Sequence, residues 1–257
     1  IGKKIPELMK KNREKFVKNA QKKGVLIKKA NEIYDLVEKF GGYGFNKSHS
    51  AAYALIVYWT AYFKANYPLE FFAAIMTTEV HNLDRFVVFV NDAREKGINV
   101  FLPDVNLSDY DFKIDESFEN NDEIKKIGIR FGLFAVKGIG AALINEIKKE
   151  RGNGKFTSYE DFVYRMKQNG ITKKQLESLI LSGALDKLNG NRFEKYKSID
   201  EILEYSQKKY ESEEDLQMIL FSGEKEFKGK FEMEKADEFP QKVLLENEKE
   251  YLGIYVS

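Results

Sequence analysis

The densest set of chemistry-bearing residues is Gly42-Tyr43-Gly44-Phe45-Asn46-Lys47-Ser48-His49, with Tyr53 one helical turn beyond His49. A glycine-rich loop running into a helix capped by Ser48 presents unpaired N–H groups and the positive end of the helix dipole, which together favour an anion. Lys47 adds a point charge, and His49 and Tyr53 share a face at i, i+4. A triphosphate suits such a place. The same residues fit equally well an ordinary glycine-rich loop with a serine cap and a hydrogen-bonded histidine.

A second set is Val136-Lys137-Gly138-Ile139-Gly140, followed by an amphipathic stretch with Leu143, Ile144 and Ile147. Two glycines let the backbone turn tightly and offer N–H groups to a phosphate, as in a helix-hairpin-helix element that holds DNA without reading its sequence. The run lacks the third glycine of a dinucleotide fingerprint and the Gly-Lys-Ser/Thr ending of a nucleotide-binding loop. Thr172 to Leu181, followed by Ser182-Gly183-Ala184, resembles a degenerate partner hairpin. A third set, Gln217-Met218-Ile219-Leu220-Phe221, is an apolar cluster inside an acidic stretch, a common form of docking peptide; one turn of helix packed on a neighbour is the plainer alternative. Asp109-Tyr110-Asp111 would put two carboxylates on one face of a strand, but beside Pro103, Asn106 and Ser108 it reads as a solvated loop.

The elements that must position these sets follow from periodicity and punctuation. Up to about Phe40 the spacing predicts one long helix or two, broken at Gly24, with Ala30, Ile33, Tyr34 and Val37 forming an amphipathic stretch that stops at Gly41-Gly42. From Ser48 a helix is predicted to about Asn66, before Tyr67-Pro68, with Leu55, Ile56, Trp59 and Phe63 as its buried stripe. Helices are expected over Leu69 to Val80 and Leu83 to Lys96, the latter stopped by Gly97. Ile98 to Leu102, Phe112 to Ile114 and Ile127 to Leu133 read as short strands. Helices return over Ala141 to Arg151, Tyr159 to Lys167 and Thr172 to Ser182; about Lys208 to Glu238 reads as a linker, and Val243-Leu244-Leu245 and Tyr251 to Val256 as the start of something new.

The 257 residues, at roughly 150 per domain, suggest one or two compact units with ample apolar material, 43% of the chain. No run approaches the roughly 18 apolar residues of a bilayer span, and no signal-peptide core opens the chain, so a soluble, cytoplasmic protein is expected, without a membrane partner. With no cysteine and two histidines, thiolate catalysis, disulfides and thiolate zinc sites are excluded. Charge is nearly balanced overall but polarised: residues 1–47 hold 13 Lys and Arg against 5 Asp and Glu, and residues 200–257 hold 8 against 16. The basic end attracts polyanions; a solvated helix face explains it as well.

Taken together, these runs resemble the C family of bacterial replicative DNA polymerases, the DNA polymerase III alpha subunits. The likeness is carried, in order, by Gly2-Lys3-Lys4 with Pro6-Glu7, by Gly42 to Leu55, by Tyr67-Pro68-Leu69-Glu70-Phe71 and by Leu102-Pro103-Asp104-Val105-Asn106. It continues through Ile129-Arg130-Phe131-Gly132-Leu133 into Lys137-Gly138-Ile139-Gly140, then Leu179 to Leu185 and Glu248 to Gly253. The resemblance implies a mainly α chain, with a helical fingers domain, a small β element at the junction and a helix-hairpin-helix domain. It divides the chain into late fingers (1–108), a tandem helix-hairpin-helix domain (109–198), an acidic linker with a sliding-clamp motif (199–240) and the approach to an OB-fold (241–257).

Roles follow from the same resemblance. Lys47, Ser48, His49 and Tyr53, with Lys3 and Lys4 nearby, would line the site of the incoming deoxynucleoside triphosphate. Lys137, Gly138, Ile139 and Gly140 would hold the backbone of primer-template DNA. Gln217, Leu220 and Phe221 match a Gln-x-x-Leu-Phe pattern for the sliding clamp, the beta subunit, and other replisome subunits are implied partners. The family's magnesium-binding palm carboxylates have no match here, so Mg2+ belongs to a segment upstream of Ile1 and the chain alone is expected to be inactive. Two rivals remain: a stand-alone, sequence-independent DNA-binding module, and a self-contained nucleotidyltransferase using Asp109 and Asp111.

Overall fold

The computed structural model describes residues 6–43, 47–118, 125–218 and 229–256. Eleven α-helices and one three-stranded sheet are present among them, so the expectation of a mainly α chain with a small β element is borne out. The chain forms two compact units, residues 1–61 and 62–257.

The first unit holds α1 (Pro6–Lys22), α2 (Ile27–Tyr43) and most of α3 (Lys47–Asn66). Gly24, at φ +82°, turns α1 back on α2, a conformation that costs a residue with a Cβ about 1–2 kcal/mol. Ala30 and Tyr34 are the buried residues of this hairpin; the Tyr34 hydroxyl donates to the Met9 carbonyl at 3.1 Å and its ring lies 5.6 Å from Phe16. Two expectations are corrected here. α2 does not stop at Gly41-Gly42 but continues to Tyr43, because glycine lowers helix propensity by only about 1 kcal/mol and ends a helix chiefly where a left-handed residue is required. α3 begins at Lys47, so Ser48 lies inside its first turn, and it buries none of its side chains: Leu55, Ile56, Trp59 and Phe63 are all exposed. An apolar stripe specifies a face able to be buried, not the surface that buries it.

The second unit opens with α4 (Pro68–Glu79), where Pro68 fills the first helical position, and α5 (Leu83–Glu95), whose first turn receives the Asn82 side chain at Arg85 N and whose end is turned by Gly97 at φ +76°. The sheet follows: β1 (Asn99–Phe101), β2 (Lys113–Phe118) and β3 (Lys125–Arg130), in the order β1-β3-β2, with β1 parallel and β2 antiparallel to β3. Gly128 is required in β3, since a Cβ there would meet the Asn99 carbonyl oxygen at 2.5 Å. Arg130 ties the three strands together, pairing with Asp115, donating to the Leu102 carbonyl at 2.7 Å and lying over the Phe101 ring. Phe86, Phe112 and Phe131 meet beneath the sheet at 4.7 to 5.8 Å between ring centroids.

After a 3-10 turn, Leu133–Ala135, come α6 (Ala141–Gly152), α7 (Tyr159–Gln168), α8 (Lys173–Leu181), α9 (Arg192–Lys197), α10 (Ile199–Met218) and α11 (Gln241–Leu252). Ile144, Ile147, Phe162, Met166, Leu176 and Leu179 are fully buried between them. α10 packs on α7, and α11 returns to pack on α8, so the residues on either side of positions 108, 198 and 240 lie in this one unit.

Of the expected linker, residues 199–218 and 229–240 are described. Its first part is the second half of α10, held by the i, i+4 bonds Lys208–Glu204 at 2.6 Å and Gln207–Glu211 at 2.7 Å, with Ile202 and Ser206 turned inward. Residues 229–240 have no regular structure but are fastened to α9: Glu238 accepts from the N–H groups of Arg192 and Phe193 at 2.9 and 3.0 Å, and Asn191 Nδ2 donates to the Ala236 carbonyl at 2.7 Å. Low hydrophobicity concealed this because main-chain and carboxylate bonds do much of the fastening of this strap, beside a few scattered apolar anchors: Phe231 and Met233 pack against the core and the Phe239 ring lies 4.9 Å from Phe193. Nor does the segment from Val243 begin a new body, since Leu252 and Ile254 are buried in the core. Among the described residues no helix is long and apolar enough to cross a membrane.

Candidate nucleic-acid interface

Lys137 to Gly140 form the turn between the 3-10 helix and α6. Gly138 takes φ +86°, and a Cβ on it would come within 3.1 Å of Ser178 Oγ. Ile139 is the buried pivot of the turn, and its N–H closes on the Val136 carbonyl at 3.1 Å. Gly140 is extended and caps α6 with no side chain, so the first-turn N–H groups of the helix have no side-chain acceptor. Gly138, Gly140, Ala141 and Ala142 are exposed around them. A phosphate oxygen fits such an open helix start, where the N–H groups and the dipole both point at the ligand.

The same construction recurs at Asn169-Gly170-Ile171-Thr172, between α7 and α8. Gly170 takes φ +80°, Ile171 is buried and its N–H closes on the Met166 carbonyl at 3.0 Å, and Thr172 caps α8 as Gly140 caps α6. The two turns are thirty-two residues apart, and at that offset Ile144 and Ile147 of α6 correspond to Leu176 and Leu179 of α8. The partner hairpin is thus not at Ser182-Gly183-Ala184. That turn is buried, its N–H groups are held by the carbonyls of Ser178, Ile180 and Leu179, and a Cβ on Gly183 would meet the Arg192 guanidinium. Sequence reasoning missed the true repeat because Thr replaces the second glycine; the recurring Gly-Ile with matched apolar spacing was the signal available.

The hairpins differ in what they leave open. In the second, Thr172 Oγ1 accepts from Gln175 N at 3.3 Å and Gln175 Oε1 accepts from Thr172 N at 3.0 Å, a closed capping box. That turn offers charge instead: Lys173 and Lys174 are exposed in the first turn of α8, where cations oppose the helix dipole unless an anion joins them. A hydrogen bond to Asp200 raises the pKa of Lys173, so it stays charged. Between the hairpins runs a groove of about 650 Å³, lined by Ala142, Asn145 and Lys149 on one side and Asn169, Gly170 and Gln175 on the other.

The residues expected at the triphosphate site fall on α3: Lys47, Ser48 and His49 share its first turn, Tyr53 follows one turn on, and the His49 and Tyr53 rings stand 4.2 Å apart. Gln217 falls in the last turn of α10, while Lys3, Lys4, Leu220 and Phe221 lie outside the described residues. Asp109 is surrounded by cations, with Lys113 at 3.0 Å, Lys148 at 3.1 Å and Arg151 at 3.4 Å. Burial pushes its pKa up, but the bonds from Lys113 and Lys148 outweigh that and hold it below the usual carboxylate value. Among the described residues no group of three or more His, Cys, Asp or Glu that could hold a metal ion is found.

Two glycine-turned hairpins thus share a core, and residues 97–195, which contain both, match the family described as a helix-hairpin-helix motif. Over its whole length the chain is 41% identical to the DNA polymerase III subunit alpha of Thermus aquaticus across 260 residues, and 38% identical to that of Vibrio cholerae across 262. That of Helicobacter pylori is 39% identical across 262 residues. The C-family resemblance is borne out: the chain is similar from end to end to a segment of these alpha subunits. It spans about a fifth of their length, 20% for the Thermus protein and 22% for the other two.

Proposed function

We propose that this chain is the part of a replicative DNA-directed DNA polymerase that grips primer-template duplex by its phosphate backbone. The observation that supports it most is the unbroken, whole-length similarity to DNA polymerase III alpha subunits, in a chain whose two hairpins present an open helix start and a pair of lysines. Contacts of this kind fix position along a duplex and carry no base readout. In the parent reaction the primer 3′ hydroxyl attacks the α-phosphate of the nucleotide and pyrophosphate leaves. Lys47, Ser48, His49 and Tyr53, with Lys3 and Lys4, would orient and neutralise the triphosphate, and Gln217, Leu220 and Phe221 would tether the enzyme to the sliding clamp, raising its effective concentration at the primer end.

The test is binding of the full chain to primer-template duplex by fluorescence anisotropy over a salt series. Affinity falling steeply with salt, independent of sequence, and weakened by Lys137→Gln is expected. Titration of the chain and of Phe221→Ala against a bacterial sliding clamp tests the tether. A chain that binds duplex but no clamp would favour a stand-alone DNA-binding module, and one that binds neither would overturn the reading.

A further inference from the structure

Hairpin 1 is not built from its own residues alone. The main-chain N–H of Lys137 donates to the Tyr251 carbonyl at 2.9 Å, and its ammonium lies 3.1 Å from Glu250 Oε1. Both partners belong to the last turn of α11, more than a hundred residues later in the chain. The two side chains are well exposed, 64% and 57%, so the pair is one that solvent, salt or a competing anion can displace.

The end of α11 is nevertheless held in place. Gly253 takes φ +79° with Leu83 packed where a Cβ would stand, Lys249 Nζ donates to the Gly253 carbonyl at 2.9 Å, and Leu252 and Ile254 are buried in the core. Arg94 on α5 adds a bond to the Tyr255 carbonyl at 2.7 Å. Glu250 is thus presented to hairpin 1 from an anchored helix end, not from a loose tail. It contributes a carboxylate beside the one lysine of the Val-Lys-Gly-Ile-Gly turn.

We propose that Glu250 is an intramolecular stand-in for a DNA phosphate, holding the Lys137 ammonium in the DNA-free chain and surrendering it when duplex binds, so that the end of α11 sets the strength of the hairpin's grip. The inference rests on the reading of hairpin 1 as a backbone contact. A carboxylate and a phosphate cannot both approach Lys137 closely without repelling each other, and the exchange replaces a solvated surface pair with a contact to a polyanion. The intrinsic affinity of the hairpin is therefore held down by a residue that touches no DNA, and Tyr251 fixes the amide that shapes the turn.

The experiment measures affinity of the full chain for a short blunt duplex at low and high salt, for the wild type, Glu250→Gln, Lys137→Gln and the double variant. Glu70→Gln, an exposed carboxylate on α4, serves as the charge control, and thermal melts check that each variant keeps its fold. Lys137→Gln retains the main-chain bond to Tyr251, so the hairpin stays formed. Glu250→Gln is expected to tighten binding about two- to fivefold at low salt, with the gain shrinking as salt rises and vanishing in the Lys137→Gln background. No gain, or an equal gain in the presence and absence of Lys137 or on Glu70→Gln, would overturn the proposal. If Lys137→Gln by itself leaves affinity unchanged, the backbone-contact reading of hairpin 1 fails, and the role of Glu250 falls with it.

Discussion

Gly138 and Gly170 hold the same left-handed conformation, φ +86° and +80°, at equivalent places in two hairpins. Each precedes a buried isoleucine and the cap of a helix, so the geometry of the turn calls for glycine at both places. Replacing either by alanine should cost about 1–2 kcal/mol from the backbone conformation alone. Gly138→Ala should lie at the upper end, because its Cβ would stand 3.1 Å from Ser178 Oγ. Urea unfolding gives the stability change and duplex anisotropy the loss of grip; a Gly138→Ala variant that binds DNA as tightly as the wild type would remove hairpin 1 from the interface.

Arg192 is the buried charge on which the strap and the last helix converge. Its guanidinium makes three bonds to Asp186, at 2.7, 2.9 and 3.1 Å, and Glu248, fully buried on α11, stands 3.6 Å away. Removing one partner of such a cluster leaves buried carboxylate uncompensated, so Arg192→Leu should cost about 3–5 kcal/mol. Lys137→Gln, which breaks an exposed pair, should stay within about 1 kcal/mol of the wild type. Chemical denaturation of both variants checks the contrast.

Acid should loosen the strap through Glu194. The N–H groups of Ala236 and Asn191 donate to its carboxylate at 3.2 and 3.1 Å and hold its pKa below the usual value. A folded-state pKa below the unfolded one means stability that is fully present above the unfolded pKa and lost as pH falls through the folded one. Glu194→Gln should therefore flatten the acid side of the stability profile while leaving the neutral region less changed. Urea midpoints measured from neutral pH downward would show an unaltered acid slope if Glu194 plays no such part.

The α3 start carries a prediction for the intact polymerase. Lys47→Ala and His49→Ala, introduced into a full-length alpha subunit bearing this segment, should raise the nucleotide KM by about tenfold, the scale of a lost charge-assisted hydrogen bond, and leave primer-template affinity nearly unchanged. Steady-state extension kinetics with varied nucleotide decide it; an unchanged KM in both variants would sink the assignment of that turn to the triphosphate.

Local chemistry was legible without coordinates wherever a residue type answers to its own backbone. Pro68 starts α4, Gly97 turns the chain after α5, and Thr172 caps α8, because each meets a dihedral or hydrogen-bond demand within a few residues. The first hairpin belongs to this class, and so does the mainly α character of the chain. Only tertiary structure could place the rest. The stripe on α3 marked an apolar face yet carried no information about a facing surface, and it is exposed. Asp109 reads as part of a solvated loop, and only the fold brings Lys148 and Arg151 of α6 to it beside its near neighbour Lys113. The low-hydrophobicity stretch after residue 207 is fastened by bonds between residues some forty apart, and the lysine of hairpin 1 meets its partner 113 positions later. Such pairings leave no periodicity in the chain, because what selects them is proximity across a packed core, and periodicity records only which face a residue shows.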